Sequence, residues 1–271
     1  MLIAFNLKSV LIDDPVDRPR PLTFNERTSH ILPTDDNLMQ DQLESLHRFA
    51  TGKLLRIKEK KSNVMKNNFS KSYDFPPELA ISGFKQQLEV TNETRLLGVI
   101  ITSDLKWNAN TDFICKKAYK KMWSLRRMKL LDLEPLLMLD FYAKEIRSVV
   151  ELAVPAWHSG LTVKQSKDIE RVQRVAVSII LSDCNTGVCD MTYDMALVTL
   201  DIEPLYVRRD KLCLTFAKKT VKSRHADIFP KNGSEHFTRS KEYYFENKSN
   251  TTRCYKSPVN YLTRLLNGED N

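Results

Sequence analysis

No stretch of this chain approaches eighteen consecutive apolar residues, the length at which a segment reads as crossing a membrane, so no membrane partner is expected. Glycine is scarce. Seven glycines and eleven prolines in 271 residues argue against a repeat fibre or a β-sandwich. Cysteine is sparse and badly spaced for pairing. The five residues Cys115, Cys184, Cys189, Cys213 and Cys254 form no Cys-x-x-Cys pair, and no His stands near Cys184 and Cys189. Neither a disulfide framework nor a zinc site is expected. Reduced thiols fit an intracellular protein, in cytosol or nucleus. Residues 1–11 are weakly apolar, contain Lys8 and lack a small-residue cleavage site, so they are not read as a signal peptide.

Signatures of catalysis are missing as well. P-loop, GxGxxG, HExxH, GxSxG and EF-hand patterns are absent. His30, His47, His158, His225 and His236 read as neutral, hydrogen-bonded histidines, because no nucleophile-and-base arrangement accompanies them. Two-metal phosphoryl transfer needs paired carboxylates. Asp13–Asp14 precede Pro15 in a polar turn, and Asp35–Asp36 read as a helix cap. Neither pair sits on a hairpin between apolar strands, so no catalytic residue and no metal ligand is assigned.

What is present is a globular, basic chain. Apolar residues make up 42% and charged residues 28%, enough for one large domain or two small ones. The net charge of +8, with a pI near 9.1, suits a polyanionic partner.

Along the chain, 1–36 is irregular, with Pro15, Pro19, Pro21 and Pro33 among charged residues. Helical spacing of Leu38, Met39, Leu43, Leu46 and Phe49 predicts a helix over 37–51, stopped at Gly52. Short strands are expected at 54–57, 62–65, 79–81 and 88–90. The run from Leu96 to Ile101 reads as one buried strand that ends in a polar turn. A glycine inside a strand weakens packing and admits a close backbone, so Gly98 is either incidental to a core strand or a point where another backbone approaches.

Helices dominate after Trp107. Over 111–130, Ile114, Ala118, Met122 and Leu125 share one face, with Lys116, Lys117, Lys120, Lys121 and Arg127 opposite. Between 106 and 131 eight basic residues face a single acid, Asp112. A mostly apolar helix is expected over 134–154, ended by Pro155. Thr162 with Gln165 forms a capping box for a helix over 162–181 whose stripe is Ile169, Val172, Ala176, Ile179 and Ile180. A short helix near 191–199 follows. Pro204 opens a last long helix, with Leu205, Leu212, Cys213 and Phe216 on one face and Arg208, Lys211, Lys218, Lys219 and Lys222 on the other. Residues 226–271 read as a polar C-terminal tail. Two cationic faces with apolar backs suit the phosphates of a duplex, or simply keep exposed helices solvated.

The order of these segments resembles part of a known family. Leu96-Leu97-Gly98-Val99 followed by Asp104-Leu105-Lys106-Trp107 resembles the strand-to-thumb passage of reverse transcriptases from non-long-terminal-repeat retrotransposons. Lys60-Lys61-Ser62-Asn63-Val64-Met65 is similar to the family's segment after its catalytic hairpin. The stretch from Ile146 to His158 resembles the thumb pattern Arg-x-x-x-Glu-(Tyr/Leu)-Ala-x-x-x-Trp, and 169–176 resembles the next thumb helix. The likeness spans about 38–225.

The resemblance implies the end of the palm (37–107) followed by a helical-bundle thumb (108–225). The fold class is then mainly α with a small antiparallel β-sheet, an α+β chain. The family's Tyr-x-Asp-Asp hairpin, which holds Mg2+ in the intact enzyme, has no counterpart here, so this chain is expected to be inactive alone and without a cofactor of its own. By carry-over, Leu97, Gly98 and Val99 would support the primer end, and Lys61 would lie near the incoming nucleotide, with Lys60 an equal claimant. Lys116, Lys117, Lys120, Lys121 and Arg127 would hold the backbone of an RNA/DNA or DNA duplex. Upstream polymerase domains would be the chain's other partner. Two alternatives stay open: a non-enzymatic basic helical interaction protein, and a pseudogene product without function.

Overall fold

The computed structural model describes residues 4–5, 38–54, 57, 62–65, 89–182, 191–231 and 243–269. The chain divides into two compact units, Met1–Lys106 and Trp107–Asn271. It is mainly helical, and among the described residues its β-strands lie in the first unit.

In the first unit, helix α1 spans Leu38–Gly52. Ala50 is buried whereas Phe49 is exposed, against the expectation for Phe49. Successive residues lie about 100° apart around a helix, so burying Ala50 turns its neighbour outward. Strands β1 (Ala4–Phe5), β2 (Asn63–Met65) and β3 (Glu89–Val90) form one sheet in that order. β2 is antiparallel to β1 but parallel to β3, so the expected antiparallel sheet is in fact mixed. Parallel pairing needs a crossover rather than a tight turn, and the sequence distance from Met65 to Glu89 allows one. Val64 and Met65 are consecutive and both buried, as in a strand covered on both faces.

Strands β4 (Glu93–Leu96) and β5 (Val99–Thr102) make an antiparallel hairpin in register Leu96↔Val99. Leu97 and Gly98 are its two-residue turn, with φ of 46° and 94°. Positive φ at both central positions is the primed turn whose twist matches paired strands. The single buried strand expected over 96–101 is therefore two strands. An apolar run conceals a turn whose first residue is Leu, and Leu97 is 84% exposed at the tip. After β5 the expected polar turn is present: Asp104 accepts hydrogen bonds from Thr102 Oγ1 (2.7 Å) and Lys106 N (3.0 Å), which hold its carboxyl below the ordinary value.

The second unit is a bundle built from α2 (Asn108–Leu130), α3 (Pro135–Phe141), α4 (Ser148–Val150), α5 (Val154–Trp157), α6 (Val163–Leu181), α7 (Tyr193–Thr199), α8 (Leu205–Val221), α9 (Thr252–Tyr255) and α10 (Pro258–Glu269). Its centre is α2 against α6. Ile114, Ala118, Met122 and Leu125 on one, and Ile169, Val172, Ala176 and Ile180 on the other, are all 2% exposed or less. Spacings of three and four residues between apolar side chains produce these faces, and burying the Ile, Val, Leu and Met side chains contributes about 1.5–3 kcal/mol each. The capping box of α6 forms as expected: Thr162 Oγ1 accepts from Gln165 N at 3.2 Å, and Gln165 Oε1 accepts from Thr162 N at 2.6 Å.

Two expectations change in this unit. The helix expected over 134–154 is α3, a π-helical stretch Tyr142–Arg147, and α4. Pro155 does not end it. It sits in the first turn of α5, where a missing N–H leaves no helical bond unmade. The segment read as a polar tail carries α10, which packs on α8 and α5. Leu262 and Leu266 are buried, but so are the polar Asn260, Thr263 and Asn267. Asn267 pairs its amide with Tyr244 N and O, both at 3.0 Å, as a strand partner would. Polar side chains satisfied by backbone can sit inside, and composition alone does not reveal that.

Gly160 touches the start of α2. A Cβ there would lie 2.4 Å from Trp107 Nε1 and 2.7 Å from its Cδ1. Gly160→Ala is expected to lower stability by about 1–3 kcal/mol, the scale of overpacking. Thermal unfolding of the full chain measures this, and an unchanged Tm would mean that the indole moves aside freely.

Candidate nucleic-acid interface

The exposed side of α2 carries Lys116, Lys120, Trp123 and Arg127 along one stripe, because the spacings of four, three and four residues return to one face of a helix. The stripe runs for about 16 Å at 1.5 Å per residue. Lys116, Lys117, Lys120 and Arg127 are exposed, and among the described residues no carboxylate pairs with them. Phe113, Lys116, Lys117, Tyr119 and Lys120 line an open, apolar-walled depression of about 580 Å³. Arg127 lies over Trp123, 5.9 Å from the ring centroid. This is a set of forward-pointing cations mixed with aromatic surface on a rigid helix.

Not every basic residue of α2 is available. Lys121 forms an ion pair with Glu145 of the π-helical stretch. Lys129 Nζ donates to the carbonyl of Ile180 at 3.0 Å, binding α2 to the C-terminal turn of α6. Lys121, expected among the backbone-binding residues, is thus half-buried and engaged.

The second cationic face is more strongly reduced. Arg208 donates to Glu151 from Nε at 2.6 Å and from Nη2 at 3.3 Å, and Lys211 pairs with Glu203. The hydrogen bond to Glu151 raises Arg208 above its ordinary value. Lys219 on α8 and Lys222 just after its end remain exposed. A charge count over 205–224 misses this, because the acids that neutralise Arg208 and Lys211 come from outside the helix or before its start.

Leu97, Gly98 and Val99 belong to the first unit and form the turn and first residue of β5; only Val99 is buried. Gly98 takes a φ of 94° there, a conformation glycine adopts without steric cost. Lys60 and Lys61, like Asp13–Asp14 and Asp35–Asp36, lie outside the described residues. Among the described residues no group of three or more His, Cys, Asp and Glu comes together that could hold the Mg2+ implied for the intact family enzyme. Among those residues no helix is long and apolar enough to cross a membrane.

A polar cluster not expected from the sequence joins α8 to the turn after α5, to α6 and to α10. Arg209 is fully buried. Its Nε donates to His158 Nδ1 at 3.1 Å and its Nη2 to Ser166 Oγ at 2.7 Å. A guanidinium only donates, so Nδ1 accepts and Nε2 carries the proton that goes to Asp210 Oδ1 at 2.7 Å. Tyr261 of α10 donates to the same oxygen. His158 is hydrogen-bonded through both ring nitrogens, in keeping with the expectation of a hydrogen-bonded histidine. The signal for Arg209 was present in its position: Leu205, Arg209, Cys213 and Ala217 recur every four residues, and all four are fully buried. Burial pushes the Cys115 and Cys213 thiols up to about 11 and about 12, leaving them inert.

Comparison with protein-family models, with curated proteins and with solved structures finds no match.

Burial works to raise the Asp210 carboxyl, but hydrogen bonds from His158 and Tyr261 and the charge of Arg209 hold it below its ordinary value. A depressed carboxyl contributes stability that is present above its unfolded value near 4 and is lost as pH falls through the folded one. Asp210→Asn is expected to flatten the loss of stability below about pH 4. Chemical denaturation across that range measures the effect, and parallel curves for both proteins would remove Asp210 from the linkage.

Proposed function

We propose that this chain is the palm end and thumb of a non-long-terminal-repeat reverse transcriptase, a fragment that grips a template–primer duplex and does not polymerise alone. The observation that carries the reading is the outward stripe of α2, whose cations form no ion pair among the described residues while its opposite side is buried. Phosphate contacts of this kind position a duplex without reading its sequence. The sequence resemblance supports the same assignment. Its segments fall, in order, on β2, on the β4–β5 hairpin and the turn that follows it, on the stretch from the π-helix to α5, and on α6.

A second reading has its own observation. Leu130, Leu131, Leu136 and Leu137 are exposed around the end of α2 and the start of α3, a grouping that suits a protein partner. A basic helical interaction protein would bind there and be indifferent to nucleic acid.

Salt-titrated binding to a DNA duplex separates the two. Phosphate gripping predicts that log K falls linearly with log salt, by about 0.9 per phosphate neutralised. Each change of Lys116, Lys117 or Lys120 to Ala is expected to reduce that slope by about one. The triple change to Glu is expected to abolish binding with an unchanged circular-dichroism spectrum, since all three side chains are exposed. No binding at low salt would favour the protein partner.

Primer extension with the purified chain, with magnesium or manganese, is expected to give no incorporation above background. Nucleotide incorporation would overturn the inactive-fragment reading.

A further inference from the structure

Phosphate gripping leaves one feature of α2 unused. Trp123 is 65% exposed, more than any other aromatic side chain among the described residues. Trp157, by contrast, is fully buried and donates its indole N–H to Leu152 O at 2.9 Å. Trp123 stands in the middle of the cationic stripe, seven residues after Lys116, three after Lys120 and four before Arg127. Tyr119, one turn before it, is also exposed. A ring left in water costs apolar burial, and here it is bracketed along the helix by positive charge on both sides.

We propose that Trp123 is a stacking platform for an unpaired nucleobase, at a frayed duplex end or in a single-stranded overhang, with Lys116, Lys120 and Arg127 holding the adjoining phosphates. This rests on the reading of α2 as a nucleic-acid interface and adds the form of nucleic acid it prefers. Lysines alone respond to phosphate and do not distinguish a paired base from an unpaired one. An indole does. A base inside a duplex has both faces covered by its neighbours, whereas a terminal or unpaired base has a free face. Stacking on an aromatic side chain beside a cationic track is the general means of holding single strands, and it tolerates any sequence because every base has a π-face. Charge favours this occupant over a protein, since Asp112 is the sole acid on α2.

The test uses the full chain with two probes at one salt concentration: a blunt DNA duplex, and the same duplex with a short single-stranded overhang. Trp123→Ala is expected to weaken overhang binding by about tenfold, within the range for one aromatic–base stack, and blunt-duplex binding by less than about twofold. Trp123→Phe is expected to keep most of the overhang preference. Overhang binding should also quench the indole fluorescence of the native chain and not that of Trp123→Phe.

Blunt-duplex binding with no Trp123 effect on the overhang, or with equal losses on both probes, overturns the platform and leaves the duplex grip standing. Trp123-dependent overhang binding without blunt-duplex binding does the reverse. Failure of both probes to bind at low salt overturns both. Thermal unfolding of Trp123→Ala serves as the control, and its exposure predicts a Tm close to that of the native chain.

Discussion

The helical unit depends on two polar side chains one turn apart on α6. Glu170 and Gln173 tie four segments through hydrogen bonds. Gln173 is fully buried; it accepts from Tyr142 Oη at 2.6 Å and donates to Glu203 O at 2.9 Å and Tyr193 Oη at 3.1 Å. Glu170 accepts from Tyr193 Oη at 2.6 Å and from the backbone N–H groups of Leu205 and Tyr206 at 3.1 and 3.2 Å. Those two N–H groups open α8, whose preceding residue is Pro204 and offers no side-chain cap. The carboxylate of a neighbouring helix does what a local Ser or Asp would do, and it meets the positive end of the α8 dipole. Loss of Gln173 would strand the buried Tyr142 hydroxyl, at a cost of about 1–3 kcal/mol.

The residues behind the family resemblance acquire a physical meaning from this network. Glu151 accepts from Arg208 at 2.6 Å and lies 3.9 Å from Arg147, joining the π-helical stretch to α8. Trp157 closes the turn from Leu152. Arg174 lies over the Tyr193 ring at 4.8 Å, and Tyr193 in turn bonds Glu170. The recognisable pattern is thus a scaffold pattern. Its effect on function is indirect. By fixing α6, it fixes the surface against which the apolar back of α2 is buried, and the cations of α2 must then point to solvent. A helix held along one side presents charges already ordered, which favours the proposed grip because less freedom would remain to be lost on binding a phosphate backbone.

Much of this was legible in the residues. The two faces of α2, the buried stripe and capping box of α6, and the positions of α1, α7 and α8 follow from periods and caps that depend on near neighbours alone. Other features were hidden for identifiable reasons. Leu97–Gly98 forms a turn within an unbroken apolar run. Pro155 starts a helix where a proline was read as a stop. Asn260, Thr263 and Asn267 look like tail residues until the backbone groups that satisfy them are in place.

The linear order of residues determined which side of each long helix is apolar, because that property is set by neighbours three and four positions away. It also determined that charge concentrates on α2. Only the three-dimensional arrangement decided which cations stay free: Lys121, Arg208 and Lys211 are answered by Glu145, Glu151 and Glu203, while Lys116, Lys117 and Lys120 are exposed on the opposite side of α2 from its buried core. An ion pair forms at about 4 Å or less, and Lys121–Glu145 and Arg208–Glu151, 24 and 57 residues apart, come within such a distance only once the helices have packed.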